Sequence, residues 1–111
     1  MRDLPVPPDT LSDANAREMI RVWIANNDLH VSLNLGMYAD APDGDIDERE
    51  AWGQMLADTI RHVANGLHQS HGWLPHETTA TIRAALLEHL RDQDADGKTH
   101  GGYVDAEDPP N

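Results

Sequence analysis

The stretch Leu29-His30-Val31-Ser32-Leu33-Asn34-Leu35 decides how the rest of this chain is read. Leucine or valine stands at every odd position, and His30, Ser32 and Asn34 stand between them. Seven residues at period two read as a β-strand with one buried face. Gly36 ends it. A strand alone, however, leaves a row of backbone N–H and C=O groups unpaired, which is costly away from water. The sequence therefore demands a partner for Leu29–Leu35. Asp3–Val6 and Met37–Ala39 are short candidates within the chain, and the same segment of a second chain, paired across a two-fold axis, is the other.

On the N-terminal side, Pro5, Pro7 and Pro8 favour an extended arm over residues 1–9. Thr10 and Asp13 stand at capping-box spacing, and Ala16, Met19, Ile20, Trp23 and Ile24 recur as one apolar stripe at helical spacing. A first helix is expected from near Leu11, stopped by Asn26-Asn27-Asp28. On the C-terminal side, Ala39–Asp45 reads as a loop, with Pro42 and Asp43-Gly44 as turn residues. Asp47 is placed as the cap of a second helix, whose stripe is Trp52, Met55, Leu56, Thr59, Ile60, Val63 and Leu67. Gly53 and Gly66 interrupt that stripe and hint at close packing or, for Gly66, an early end. Gly72 is the favoured stop, with Trp73 folding back on Leu67 or His68. Pro75 opens a third helix carried by Ile82, Leu86, Leu87 and Leu90.

Beyond Arg91 the apolar pattern ends, and residues 92–111 read as an acidic, disordered tail. The expectation is thus one α+β domain over residues 10–91, with three helices and one principal strand in the order α-β-α-α. A proline-rich arm precedes it and the tail follows it.

Composition narrows the function. The chain has 111 residues, 20 acids, 8 Lys and Arg, and a formal net charge of −12. Its summed field repels nucleic-acid phosphates and anionic lipid surfaces, so neither nucleic acid nor membrane is an expected partner. Asp40, Asp43, Asp45, Asp47, Glu48 and Glu50 form one acidic cluster; Asp92, Asp94, Asp96, Asp105, Glu107 and Asp108 form another. The absence of cysteine excludes a disulfide framework, a thiolate metal site and a cysteine nucleophile. No apolar run marks a signal peptide or a membrane helix, so a cytoplasmic protein is expected.

Three constellations carry possible chemistry. Asp92-x-Asp94-x-Asp96-Gly97 reproduces the opening half of a calcium loop, three oxygen ligands and then a turn glycine. The closing half fails, because Tyr103 stands where a bidentate glutamate belongs. His62, His68 and His71 fall near one another on a helix, but without the glutamate spacing of a zinc enzyme. Asp58 and His62, one helical turn apart, could serve as base and orienter beside His30, though no glycine-flanked elbow surrounds Ser32 or Ser70. There is no phosphate loop and no dinucleotide fingerprint, and no cofactor is expected.

At Arg21-Val22-Trp23, His30-Val31-Ser32-Leu33, Trp52-Gly53, Leu56-Ala57-Asp58 and His62-Val63-Ala64 the chain resembles a family of small proteobacterial proteins catalogued as a domain of unknown function. The resemblance spans roughly residues 5–91 and implies a shared fold; it brings no activity. The expected function is a non-catalytic, homodimeric protein-interaction module, with Leu29, His30, Val31, Ser32, Leu33, Asn34 and Leu35 at the interface. The alternatives are a weak calcium module on Asp92, Asp94 and Asp96, or a small ligand-binding protein or enzyme around Asp58, His62 and His30.

Overall fold

The computed structural model describes residues 3–39, 46–94 and 101–106. The elements run α1 (Pro8–Leu11), β1 (Ile20–Ala25), β2 (Asp28–Leu33), α2 (Glu48–His71), α3 (Pro75–Asp94) and β3 (Tyr103–Asp105). The class is α+β, as expected, with three helices and a three-stranded sheet among the described residues. No helix among the described residues is long and apolar enough to cross a membrane. The expected loop residues 40–45 and the tail residues 95–100 and 107–111 lie outside the described residues.

The order differs from α-β-α-α at the first element. The helix expected from near Leu11 does not form: the one helical turn there, α1, ends at Leu11, and the apolar stripe that suggested a helix runs into β1. Ile20 and Ile24 fit both periods, four apart on a helix or two pairs apart on a strand. Val22 fits only the strand, and β-branched and aromatic residues pack best on a pleated surface. Asn26 and Asn27 then act as a hairpin turn and not as a helix stop. Both have positive φ, 54° and 63°, which is the twist a two-residue type I′ connection requires and asparagine tolerates. β1 and β2 pair antiparallel, with Val22 opposite Val31 and Trp23 opposite His30.

β3 supplies the third strand, parallel to β2, with Val31 beside Tyr103 and Leu33 beside Asp105. It corrects the expectation of a disordered tail, as does the continuation of α3 to Asp94. Gly101 makes the approach possible: its φ is 73°, and a Cβ there would run into the backbone carbonyl of Leu29. The Val31 amide donates to the Gly102 carbonyl at 3.0 Å, and the Ala106 amide donates to the Leu33 carbonyl at 2.7 Å. β2 is therefore the central strand of the order β1-β2-β3, with β1 along one edge and β3 along Val31–Leu33 of the other. Self-pairing of Leu29–Leu35 about a two-fold near Ser32 is thereby ruled out in this structure. Its partners are also not Asp3–Val6 or Met37–Ala39, which form no strand.

Both ends of α2 and the start of α3 stand at the residues read for them. Asp47 caps α2, its Oδ1 accepting from the Arg49 amide at 2.8 Å. Gly72 ends it in the left-handed conformation, φ 73°, its amide donating to the His68 carbonyl at 2.9 Å. Trp73 does fold back, but by its carbonyl, 3.0 Å from His68 Nδ1, while its ring lies 5.3 Å from that of His71. Pro75 opens α3. Gly53 and Gly66 sit inside α2 with nothing within 4 Å of an added Cβ, so neither marks close packing or an end.

The chain forms two compact units: residues 1–35 with 101–111, and residues 36–100. The first holds the sheet and the second the α2–α3 hairpin. In the hairpin, Ala51, Ala64 and Thr78 are buried.

Candidate association surfaces

Alternation gives the sheet two unlike faces. One carries Ile20, Val22 and Ile24 of β1 and Leu29, Val31 and Leu33 of β2. The other carries Arg21, Trp23, His30 and Ser32. The apolar face stays largely at the surface: Val22 is 50 % and Ile24 74 % exposed. Isolated exposed leucines are ordinary on a protein surface; a contiguous apolar face is not. The expected alternation of Leu29, Val31 and Leu33 is thus present, and the hairpin doubles it with a second strand.

The helical hairpin repeats the pattern. Ala64 on α2 lies near Pro75 and Thr79 of α3, while Leu56 and Val63 on α2 and Leu86, Leu87 and Leu90 on α3 are each between 44 and 53 % exposed. The expected stripe of α3 is therefore real in spacing but uncovered. At the closed end of the hairpin an open hollow of about 510 Å³ is lined by Leu67, Trp73, Leu74, Thr78 and Ile82, together with Glu77.

The most elaborate polar arrangement was missed by the sequence reading. Glu48, the first residue of α2, receives four donors. Its Oε2 accepts from the Gly36 amide at 2.9 Å and from Trp52 Nε1 at 2.8 Å. Its Oε1 accepts from the amides of Tyr38 at 2.8 Å and Ala39 at 3.2 Å. The Gly36 amide, then the indole and the Tyr38 amide, hold its carboxyl below the usual carboxylate range. This is a structural clamp that fixes the turn at 36–39 to the start of α2, and its four donors leave the carboxylate little capacity for a ligand. The spacing Glu48 to Trp52 was a visible clue; the backbone donors leave no trace in sequence. Next to it, the Arg49 guanidinium on Asp47 brings that carboxyl down to about 2.

Asp58 is engaged by Arg61 at 2.9 Å. Asp58 and His62 belong to the helical unit, and His30 to the sheet unit. His71 Nδ1 lies 2.6 Å from Ser70 Oγ. Asp92 and Asp94 fall in the last turn of α3, and Asp96 lies outside the described residues. Among the described residues, no group of three or more His, Asp or Glu could hold a metal ion. Of the expected interface, residues 29–33 lie in the central strand, and Asn34 donates its amide to the Met19 carbonyl at 3.0 Å.

No curated protein is similar in sequence to this chain. Among solved structures, it is similar to the "putative pyruvate dehydrogenase from the photosynthetic bacterium Rhodopseudomonas palustrus CGA009", with a TM-score of 0.59 and 22 % identity over 81 % of this chain and 83 % of that one. At that identity the likeness concerns the fold. Residues 3–94, which include α1, β1, β2, α2 and α3, match a sequence family, and the chain therefore belongs to the family described as domain of unknown function DUF5076.

Proposed function

We propose that this protein is a non-catalytic module that acts through protein–protein contact, and that its first partner is a second copy of itself. The observation that carries the reading is the uncovered apolar surface, on α2 and α3 and on one face of the sheet. Fully burying a leucine, isoleucine or valine is worth about 1.5–3 kcal/mol, so each half-exposed side chain forgoes about 1 kcal/mol. Five such residues on the helical hairpin alone forgo several kcal/mol, comparable with the whole stability of a small domain. Association recovers that energy. The cytoplasm is the proposed setting, in keeping with a cysteine-free chain of net charge −12. The activity in the name of the Rhodopseudomonas protein is not part of the proposal, because a likeness at 22 % identity concerns the fold alone.

Native mass spectrometry on a mixture of ordinary and 15N-labelled full-length chain tests the reading. Dimers of ordinary, mixed and fully labelled mass are expected. Monomer masses alone at every concentration would overturn it.

A further inference from the structure

We propose that two copies join through the outer edge of β1, antiparallel about a two-fold axis at Val22, so that the two sheets become one of six strands. The inference rests on the homodimer reading and names its contact.

The hydrogen-bond pattern shows which backbone groups are free. In an antiparallel pair, residues facing each other alternate between pairs that exchange hydrogen bonds and pairs that do not. The Asn34 amide donates to Met19 across β1 and β2. Met19–Asn34 is therefore a bonded pair, as are Arg21–Ser32, Trp23–His30 and Ala25–Asp28, the last closing the two-residue turn. Ile20, Val22 and Ile24 fall between them and turn their N–H and C=O groups outward. On β2 the corresponding groups of Val31 and Leu33 also turn outward, and there β3 takes them, at Gly102 and Ala106. Beside β1 no strand lies among the described residues.

That edge lacks the usual protection. Natural edge strands discourage pairing with charges, proline or bulges. β1, Ile-Arg-Val-Trp-Ile-Ala, has no proline and one charge, and Arg21 is paired with Glu18 at 2.9 Å.

Its sequence also selects a partner. Residues opposite each other in an antiparallel pair share a face, so self-pairing keeps the apolar face intact only if facing residue numbers sum to an even value. A sum of 42 sets Arg21 against its own copy, a like-charge clash. A sum of 46 drives Ile20 against turn residue Asn26. A sum of 44 sets Val22 against Val22, Ile20 against Ile24, Arg21 against Trp23 and Glu18 against Asn26. Every outward-turned residue then meets another, for about six backbone hydrogen bonds. Arg21 can lie over the indole of its partner. The apolar face of one sheet continues into the other without a break.

Single-cysteine variants of the full chain, which has no cysteine of its own, test the register under mild oxidation. Facing residues lie within disulfide reach. Val22→Cys is expected to convert mostly to disulfide-linked dimer. Ile24→Cys alone, whose two copies lie four residues or about 14 Å apart along the strands, is expected to stay unlinked until mixed with Ile20→Cys. Val22→Pro removes an outward N–H and leaves the β1–β2 ladder complete, so it is expected to give folded monomer. A Val22→Cys chain that stays unlinked while the wild type is dimeric would overturn the β1 contact and leave the homodimer standing on another face. A wild-type chain that is monomeric throughout would overturn both.

Discussion

The β1–β2 hairpin and the α2–α3 hairpin are built on the same plan, two antiparallel elements joined by a two- or three-residue connection, yet they are held together differently. The strands are held by backbone hydrogen bonds in a defined register, with Val22 on Val31 and Trp23 on His30. The helices satisfy their own backbones and meet through side chains, Ala64 of α2 lying near Pro75 and Thr79 of α3. A strand pair leaves an edge, and that edge can recruit another chain. A helix pair leaves only faces. The sheet unit can therefore specify a partner by register, whereas the helical unit offers area without direction.

The largest effect is expected where the helices touch. Ala64 is 1 % exposed, and Ala64→Leu should cost about 1–3 kcal/mol through overpacking. Chemical denaturation would show it. A neutral result would mean that α2 and α3 are not packed through this residue. Glu48→Gln tests the clamp, since an amide cannot accept from all four donors. The melting temperature at neutral pH should fall. Because the Glu48 carboxyl lies below its ordinary 4.5 in the folded chain, its contribution is complete above that pH and is lost as the pH falls through the folded value. Melting curves recorded from neutral pH down to about pH 3 should therefore slope less steeply for Glu48→Gln than for the wild type over that acid range.

In the sheet unit, Asn27→Ala places an ordinary side chain at φ 63° and should cost about 1–2 kcal/mol, while Asn27→Gly should cost nothing. Equal effects would mean that the turn is not type I′. The smallest change is stabilising. Gly66→Ala meets open space within α2 and should add about 0.5–1 kcal/mol, read as a higher melting temperature. A loss there would show that α2 is covered at Gly66 by something the single chain does not supply.

The same contrast explains what the sequence made legible. Helix ends are written locally, in Asp47, Gly72 and Pro75, and all three were readable. β2 was readable because its alternation runs unbroken. β1 was misread because Ile20 and Ile24 satisfy both periods, and only its pairing with β2 decides between them. β3 was missed because three residues are too few for a pattern, and its partner stands some seventy positions earlier, at Val31–Leu33. Leu86 was read on the apolar stripe of the third helix, and its spacing was read correctly, but it is 44 % exposed, because periodicity shows that a residue needs cover and not what covers it. The Glu48 clamp depends on backbone amides, which every residue but proline has, so no residue type announces it.

The central claim, that this chain works as a pair, is tested most directly by sedimentation equilibrium of the full-length protein from low-micromolar to submillimolar concentration. A mass approaching twice the 12.3 kDa of one chain, falling toward the single-chain mass on dilution or with Val22→Pro, is the predicted result. A mass fixed at one chain over the whole range would contradict it.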